Sequence, residues 1–481
     1  MERQNPMCHP KGKTRFAIGA GLALFLLVSF TPVAGQQVTG DWHGLLEIPG
    51  SPLRLVFHIS QTGDSLSATL DSPDQNAYGI PVTSTRVENR TLILTVANLA
   101  IEYTGIVLDD GAVRGTFRQG GQSFPLILTR EPVSKAAVTR PQDPVPPYPY
   151  KSEDVVFPNT DDDIMLAGTL TLPEGTPFAA VILITGSGPQ DRNEELMGHR
   201  PFLVLSDHLT KAGIAVLRFD DRGTGASTGN FSVATTMDFA RDVQAAIKYL
   251  KTRTEIDPTR IGLIGHSEGG IVAPLVATSF NDVAFIAMLA GPGIRGKELI
   301  VLQSVLINRS MGLKEELIER SRTVNEEVLD LVLNTHDADS LHSKITSYLR
   351  GALKAHPHIL AQSGMTEDAF VNMQASALSS SWMRTFLKHD PAPVLEKVKC
   401  PVLALFGEKD LQVPPDPNAD AVAQALKRGG NTQSTVKVMP GLNHLFQEAH
   451  TGSPAEYGVI EQTISPTALN ALSSWIHGLY H

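Results

Sequence analysis

Apolar residues change their spacing several times along this chain, and each change marks a boundary. Phe16 to Phe30 is an apolar stretch. From Gln37 to Arg130 apolar positions alternate with polar ones or run in short bursts: Trp42–Ile48, Leu53–Ile59, Ser65–Leu70, Pro81–Val87, Thr91–Val96, Ile101–Leu108, Ala112–Phe117 and Phe124–Leu128. Turn signals such as Gln61-Thr-Gly-Asp, Asp109-Asp-Gly and Gln119-Gly-Gly separate them. Successive strand side chains face opposite ways, so this spacing predicts about eight short strands in an antiparallel sandwich or small up-and-down barrel. This stretch carries no catalytic constellation, which leaves a structural role favoured over a lipid- or glycan-binding one.

Residues 131–150 hold six prolines, from Pro132 to Pro149, and read as an extended linker. Beyond it, Val155–Phe157 and Met165–Leu172 predict a hairpin with Asp161, Asp162 and Asp163 at a solvated turn. Strand and helix patterns then alternate. Ala179–Ile184, Ala215–Phe219 and Ala284–Ala290 read as strands, and Pro201–Ala212 and Phe239–Thr252 as helices, which implies a parallel sheet covered on both faces. Between Gly291 and Lys399 the spacing is helical throughout, at Leu299, Leu302, Leu306, then Val324, Val328, Val332, then Ile345, Leu349, Leu353. Roughly a hundred helical residues exceed any ordinary connection and predict a cap, about 292–399, over the sheet's carboxyl edge. Core packing explains most of its apolar residues; Phe370, Met373, Trp382, Met383 and Phe386 are candidates for a substrate pocket. The sheet resumes with Val402–Phe406, a helix over Asp420–Lys427, a strand over Thr435–Val438 and a closing helix over Ser465–Leu479. The expected organisation is a leader (1–35), an antiparallel β domain (36–130), the linker (131–150) and an α/β unit (151–481) with an inserted helical cap.

Candidate chemistry concentrates at Ile261-Gly-Leu-Ile-Gly265-His-Ser267-Glu-Gly269-Gly270, where a buried strand pattern ends on G-x-S-x-G and a helix pattern follows. Strand, tight turn and helix in that order predict a nucleophile elbow, with Ser267 in a strained turn above the sheet edge. A second copy of the motif, Gly225-Ala-Ser227-Thr-Gly229, follows its strand six residues late and opens no helix, so Ser227 reads as a loop serine. A serine hydroxyl needs a base, and the base an acid that fixes its tautomer. Asp410 follows the Val402–Phe406 strand and His444 follows the Thr435–Val438 strand, which is the chain order this elbow requires. Glu408 lies nearer the strand end and Asp416 follows two prolines, so Asp410 is preferred to both. Two backbone donors should receive the oxyanion: the amide of Glu268, directly after the nucleophile, and that of Ser187 in Thr185-Gly186-Ser187-Gly188-Pro189.

The stretches Gly186-Ser-Gly-Pro-Gln-Asp191-Arg192, Arg218-Phe-Asp-Asp-Arg222-Gly-Thr-Gly-Ala-Ser227, Gly265-His-Ser-Glu-Gly-Gly270, Gly407-Glu-Lys-Asp410 with Val413-Pro-Pro, and Pro440-Gly-Leu-Asn-His444 carry a resemblance. From about Asp154 onward the chain resembles the α/β-hydrolase superfamily, specifically bacterial serine carboxylesterases with a serine-aminopeptidase-like catalytic domain. The resemblance implies an α/β-hydrolase fold, a triad of Ser267, Asp410 and His444, and hydrolysis of a small-molecule ester through an acyl-enzyme with no cofactor. It also implies that Ser227 belongs to a common loop. Thr185 departs from the family, many members of which carry histidine there. The β domain lies outside the resemblance.

Composition narrows the alternatives. With 42% hydrophobic and 19% charged residues over 481 positions, the chain has room for two or three domains. A net charge of -10 with no basic cluster argues against nucleic acid. Arg3, Lys11, Lys13 and Arg15 before Phe16–Phe30, with Val33 and Gly35 ahead of Gln36, fit a cleaved export signal and hence a periplasmic or secreted protein without a retained membrane anchor. Cys8 and Cys400 are the two cysteines, so a chain cleaved there would have one thiol and no internal disulfide. A dinucleotide fold fails because Asp191 stands at the third glycine of G-x-G-x-x-G, and His356-Pro-His358 is too isolated for a zinc site. A non-catalytic binding protein on the same scaffold would be expected to have lost a triad member. Aminopeptidase, thioesterase and acyltransferase share the triad and stay open; an aminopeptidase would need cap carboxylates, for which Glu315, Glu316, Glu319, Glu326 and Glu327 are available.

Overall fold

Period-two alternation gives strands wherever one face can be buried, and here it builds a barrel before the larger sheet begins. The computed structural model describes residues 38–47, 52–75, 77–119, 122–133, 140–175, 178–280, 282–357, 359–360 and 365–480. The expected leader, residues 1–35, and part of the expected linker, residues 134–139, lie outside them.

The first strands are β1 (Gly40–Leu46), β2 (Leu53–Thr62), β3 (Ser65–Ser72), β4 (Ala77–Val82), β5 (Ser84–Glu88), β6 (Thr91–Val96), β7 (Ile101–Val107), β8 (Val113–Gln119) and β9 (Gln122–Leu128). They pair in chain order as two antiparallel sheets, β1–β4 and β5–β9. His43 and Thr129 exchange 2.8 Å backbone hydrogen bonds and so join the first strand to the end of the last. The stretch Pro81–Val87, expected as one strand, divides between β4 and β5. Its β pattern is continuous, but at Thr83 the chain leaves one sheet for the other: the Thr83 amide donates to Thr95 O (2.7 Å) and its hydroxyl accepts from Ala97 N (2.9 Å). Trp42, Phe57, Tyr103 and Phe117 fill the interior.

The second sheet comprises β10 (Lys151–Asn159), β11 (Ile164–Leu172), β12 (Phe178–Ile184), β13 (Ala215–Phe219), β14 (Ile256–His266), β15 (Phe285–Leu289), β16 (Val402–Gly407) and β17 (Ser434–Met439). Their order is β10-β11-β13-β12-β14-β15-β16-β17, antiparallel as far as β13 and parallel from there on. Helices α1 (Pro201–Lys211), α2 (Thr236–Leu250) and α3 (Gly269–Ser279) follow successive strands. The second of these starts three residues before the expected Phe239, because Thr235 and Asp238 form a capping box that nucleates the turn.

Between β15 and β16 stand α4 (Gly296–Ser310), α5 (Glu315–Asn334), α6 (Ala338–Ala355), α7 (Glu367–Ser379), α8 (Ser381–Lys388) and the short α9 (Ala392–Leu395). Of the residues expected at helical spacing, Val328, Val332, Ile345, Leu349 and Leu353 form a core of their own there. After β16 come α10 (Pro415–Arg428) and, after β17, α11 (Pro466–Gly478), whose Trp475 packs edge-on against Phe285 of β15 at 5.7 Å.

Two polar features differ from expectation. The Asp161–Asp163 turn is more than a solvated one: Asp162 is paired with Arg222 (2.7 Å) and Arg241 (2.9 Å), and Asp161 with Lys248 (3.3 Å). Nor do residues 140–150 simply span a gap. Arg140 is 7% exposed, and its guanidinium donates to the carbonyls of Met197, Gly198, Gly458 and Ile460. Gln142 donates to Ile464 O and accepts from the amides of Thr463 and Ile464.

Candidate active site

The carboxyl edge of the parallel strands gathers the predicted residues. At the end of β14 the backbone turns sharply, and Ser267 takes a left-handed φ of 52°. Only a tightly packed turn holds a serine there. A Cβ on Gly265 would come within 1.9 Å of Gly269 O, and one on Gly269 within 2.2 Å of Ile184 O, so α3 can begin this close to the sheet only with glycine at both positions. The turn closes through Ser267 N to Leu289 O and Gly270 N to Ser267 O, each 2.9 Å.

Asp410 follows β16 and is 1% exposed. Its Oδ1 accepts from the amides of Gln412 and Val413, both at 2.8 Å, which leaves Oδ2 facing Nδ1 of His444 at 2.8 Å. A carboxylate there requires the proton on Nδ1, and so leaves Nε2 of a neutral ring as an acceptor. The His444 loop is fixed by Asn443, whose fully buried side chain accepts from the amides of Leu445 and Gln447. Gly186, Ser187, Ser267 and His444 line a common cavity of about 90 Å³. Among the described residues no group accepts from the amides of Ser187 or Glu268, the two expected oxyanion donors. Of the competing acids, Glu408 accepts from Gly441 N (2.7 Å) and Asp416 is exposed. Ser227 is buried away from this cavity and ties β11 to β13, donating to Asp220 O (2.7 Å) and accepting from Ala167 N (2.9 Å).

Several contacts of the site have no signal in the sequence. Glu268 reaches away from its own amide into the protein, where its carboxylate accepts from Thr236 Oγ1 (2.6 Å) and from the indole of Trp382 (2.9 Å to each oxygen). Burial pushes its pKa up, against these two hydrogen bonds. Trp382 therefore joins the cap helix α8 to the elbow. Asp221 accepts from Thr185 Oγ1 (2.7 Å) and Gln190 N (3.0 Å), yet burial pushes its carboxyl up to about 8. Glu194 and His266, 4% and 7% exposed, meet at 2.9 Å beside Ser267. His266 stood within the motif; its partner lies 72 residues away, with no local signal linking the two.

Within the cap lies a cavity of about 390 Å³. Phe370 and Met383, two of the expected pocket residues, line it with Ile307, Val328 and Leu353. Met373 is instead 47% exposed, while Trp382 and Phe386 stack on each other at 5.1 Å. The remaining lining groups include Gln303, Asn308, Asn325 and Gln374; no charged side chain is among them. Among the described residues no cluster of three or more His, Cys, Asp or Glu could hold a metal ion, and no helix is long and apolar enough to cross a membrane.

Residues 200–448, just over half of the chain, match the family profile described as serine aminopeptidase, S33. The chain is 25% identical over 315 residues to esterase EstD of Thermotoga maritima, covering 64% of this chain and 66% of that protein. It is 32% identical over 124 residues to the uncharacterized protein YfhR of Escherichia coli, covering 26% of this chain and 41% of that protein. The chain thus spans just under two thirds of the first relative's length and less of the second's. Among solved structures it is similar to the Pyrococcus furiosus esterase Pf2001, with 17% identity, a TM-score of 0.41, and coverage of 68% of this chain and 93% of that one.

Proposed function

The chain belongs to the serine aminopeptidase S33 family of α/β hydrolases, and from that membership we propose that it is a serine carboxylesterase acting on uncharged esters. Ser267 is the nucleophile, His444 the base and Asp410 its orienting acid. His444 Nε2 takes the proton from Ser267 Oγ as that oxygen attacks the ester carbonyl carbon. The carbonyl oxygen, now negative, is received by the amides of Ser187 and Glu268. Collapse expels the alcohol, which takes the proton from His444 and leaves an acyl-Ser267. Water, deprotonated by the same histidine, then releases the acid.

The observation that carries this reading is the 2.8 Å contact of buried Asp410 with His444 at the rim of the cavity that also holds the left-handed Ser267. An ester is preferred to an aminoacyl amide on electrostatic grounds. An ammonium group needs an uncommitted carboxylate, but Glu315, Glu316, Glu319 and Glu326 are engaged by Arg309, Arg320 and Arg322. Glu327 accepts from Tyr348. None of them lines either cavity.

The neutral cap cavity suits an apolar acyl or alcohol group. Export belongs to the same proposal and rests on the charge and apolar pattern of residues 1–35 alone. The β barrel and the hydrolase are proposed as separate domains, with the boundary in the segment between β9 and β10. A series of p-nitrophenyl esters of rising acyl length, run beside aminoacyl p-nitroanilides, tests the assignment. Turnover of the esters and inertness of the anilides are expected; faster release from the anilides would overturn the preference.

A further inference from the structure

His266 and Glu194 stand one residue before the proposed nucleophile and at the mouth of its cavity, and the proton transfer just described uses neither. Their geometry is restrictive. His266 Nδ1 lies 2.9 Å from Glu194 Oε1, and Nε2 lies 3.0 Å from the carbonyl oxygen of His444. A carbonyl can only accept, so Nε2 carries a proton. The same Glu194 Oε1 accepts from Gly186 N at 2.7 Å, a second donor that favours a charged carboxylate there. With that carboxylate charged, both ring nitrogens of His266 donate, and the pair is an imidazolium and a carboxylate buried together.

Three segments are joined by it. Gly186 begins the loop that offers the Ser187 amide, His266 ends β14 at the elbow, and the His444 carbonyl belongs to the proposed base. The packing is close: a Cβ on Gly186 would stand 3.3 Å from both Glu194 Oε1 and Ser267 Cβ and 3.6 Å from His266 Nδ1. Glu194 itself sits at a left-handed φ of 52°, its amide bonded to Asp191 O. Strain of that kind persists where surrounding contacts over-determine it.

We propose that Glu194 and His266 are positioning residues for the hydrolysis, a second acid–histidine pair that sets the oxyanion loop, the elbow and the backbone of His444 at fixed separations. This rests on the reading of Ser267 and His444 as nucleophile and base. Burial is the largest single influence and opposes the charge on His266, but Glu194, the His444 carbonyl and Asp410 together outweigh it, so the ring's pKa is raised. Its surroundings are the Asp410 carboxylate and the His444 ring, whose centroid is 4.8 Å away, with Asp221 and Glu268 within electrostatic reach of Glu194 or of each other. A raised histidine pKa means that the ring keeps its charge to higher pH than a free imidazole, and that the pair is lost as pH rises through that value. Ester turnover should therefore show an alkaline limb that Ser267, His444 and Asp410 alone would not produce.

Glu194→Gln keeps the shape and removes the charge. With sites titrated by a fluorophosphonate, its kcat on p-nitrophenyl butyrate should fall by up to about a hundredfold, the scale of a small misplacement of reacting groups. KM should stay nearly constant, and the alkaline limb should move at least about one unit toward neutral pH. Glu194→Asp, which keeps the charge, should restore the limb. His266→Gln, which can still donate to His444 O, should lack the limb altogether and covers the case in which Glu194→Gln does not fold. A kcat within about twofold of the parent with an unmoved limb, or a limb that persists in His266→Gln, would overturn the proposal. If Ser267→Ala still turned over the ester, the catalytic reading itself would fail; an inert Ser267→Ala beside an unaffected Glu194→Gln would remove only the positioning role.

Discussion

The barrel of β1–β9 and the sheet of β10–β17 both bury apolar strands, but they treat polar side chains differently. Among the described barrel residues, Ser72 is the one buried side chain of a polar class, and Tyr103 sets its hydroxyl against the carbonyls of Val113 and Leu126. The larger sheet buries Glu194, Asp221, His266, Glu268, Asp410, Asn443 and His444, all near the carboxyl ends of its strands. An unpaired polar group in a protein interior costs on the order of 1–3 kcal/mol, and an unpaired charge more. Each of these groups is accordingly hydrogen-bonded.

Substitutions on the two sides should separate these demands. The largest effect expected is that of Ser267→Ala, which should lower ester turnover by about four to six orders of magnitude. Ser227→Ala, in the same five-residue motif, should leave the folded protein within about tenfold of the parent. Equal loss in both, measured on protein shown to be folded by circular dichroism, would erase the distinction between elbow and loop. In the barrel, Phe117→Ala should cost about 3–5 kcal/mol in denaturant unfolding, with kcat/KM on a small ester unchanged. A parallel loss of activity would make the barrel part of the site.

A smaller effect concerns Asp221. Its folded pKa near 8 lies above the usual carboxylate range, so the folded state holds a proton that the unfolded chain releases. That proton's contribution is fully present below about pH 4 and is lost as pH rises toward 8. Asp221→Asn should remove this slope, raising stability at pH 8 relative to pH 5 by on the order of a few kcal/mol against the parent. An unchanged slope in urea titrations would show that Asp221 ionises normally.

The smallest effect divides two truncations. A chain starting at Arg140 should keep small-ester activity within about tenfold, whereas one starting at Tyr148 loses Arg140 and Gln142. The second should be less stable by at least about 1.5–3 kcal/mol, the scale of one charged hydrogen bond. Equal melting temperatures would mean that the docked segment contributes nothing.

What could be read from the residues follows the reach of their contacts. Ser267, Asp410 and His444 each stand just past a strand, so strand pattern and turn chemistry located them without any distant partner. Glu194 is different: its meaning depends on His266, 72 residues on, and Trp382 depends on Glu268, 114 residues back. Pattern reading has no access to such pairs. The division at Thr83 was hidden because propensity favours strand on both sides of it, and only the need to change sheets breaks the run. The prolines of residues 132–149 read as an extended linker. They could not indicate that Arg140, beside them, would find carbonyls 57 and 320 residues away.

That last contact also sets an order of events during synthesis. Every barrel strand pairs with its neighbour in the chain, and the closing contact of His43 with Thr129 is available soon after residue 130 leaves the ribosome. Arg140 emerges next, but its acceptors at Gly458 and Ile460 arrive only near the end of translation. At about 5–20 residues per second, the nascent chain spends on the order of tens of seconds with this guanidinium unseated after the last barrel strand has been made. The late, end-dependent seating of Arg140 thus follows from the placement of a single side chain.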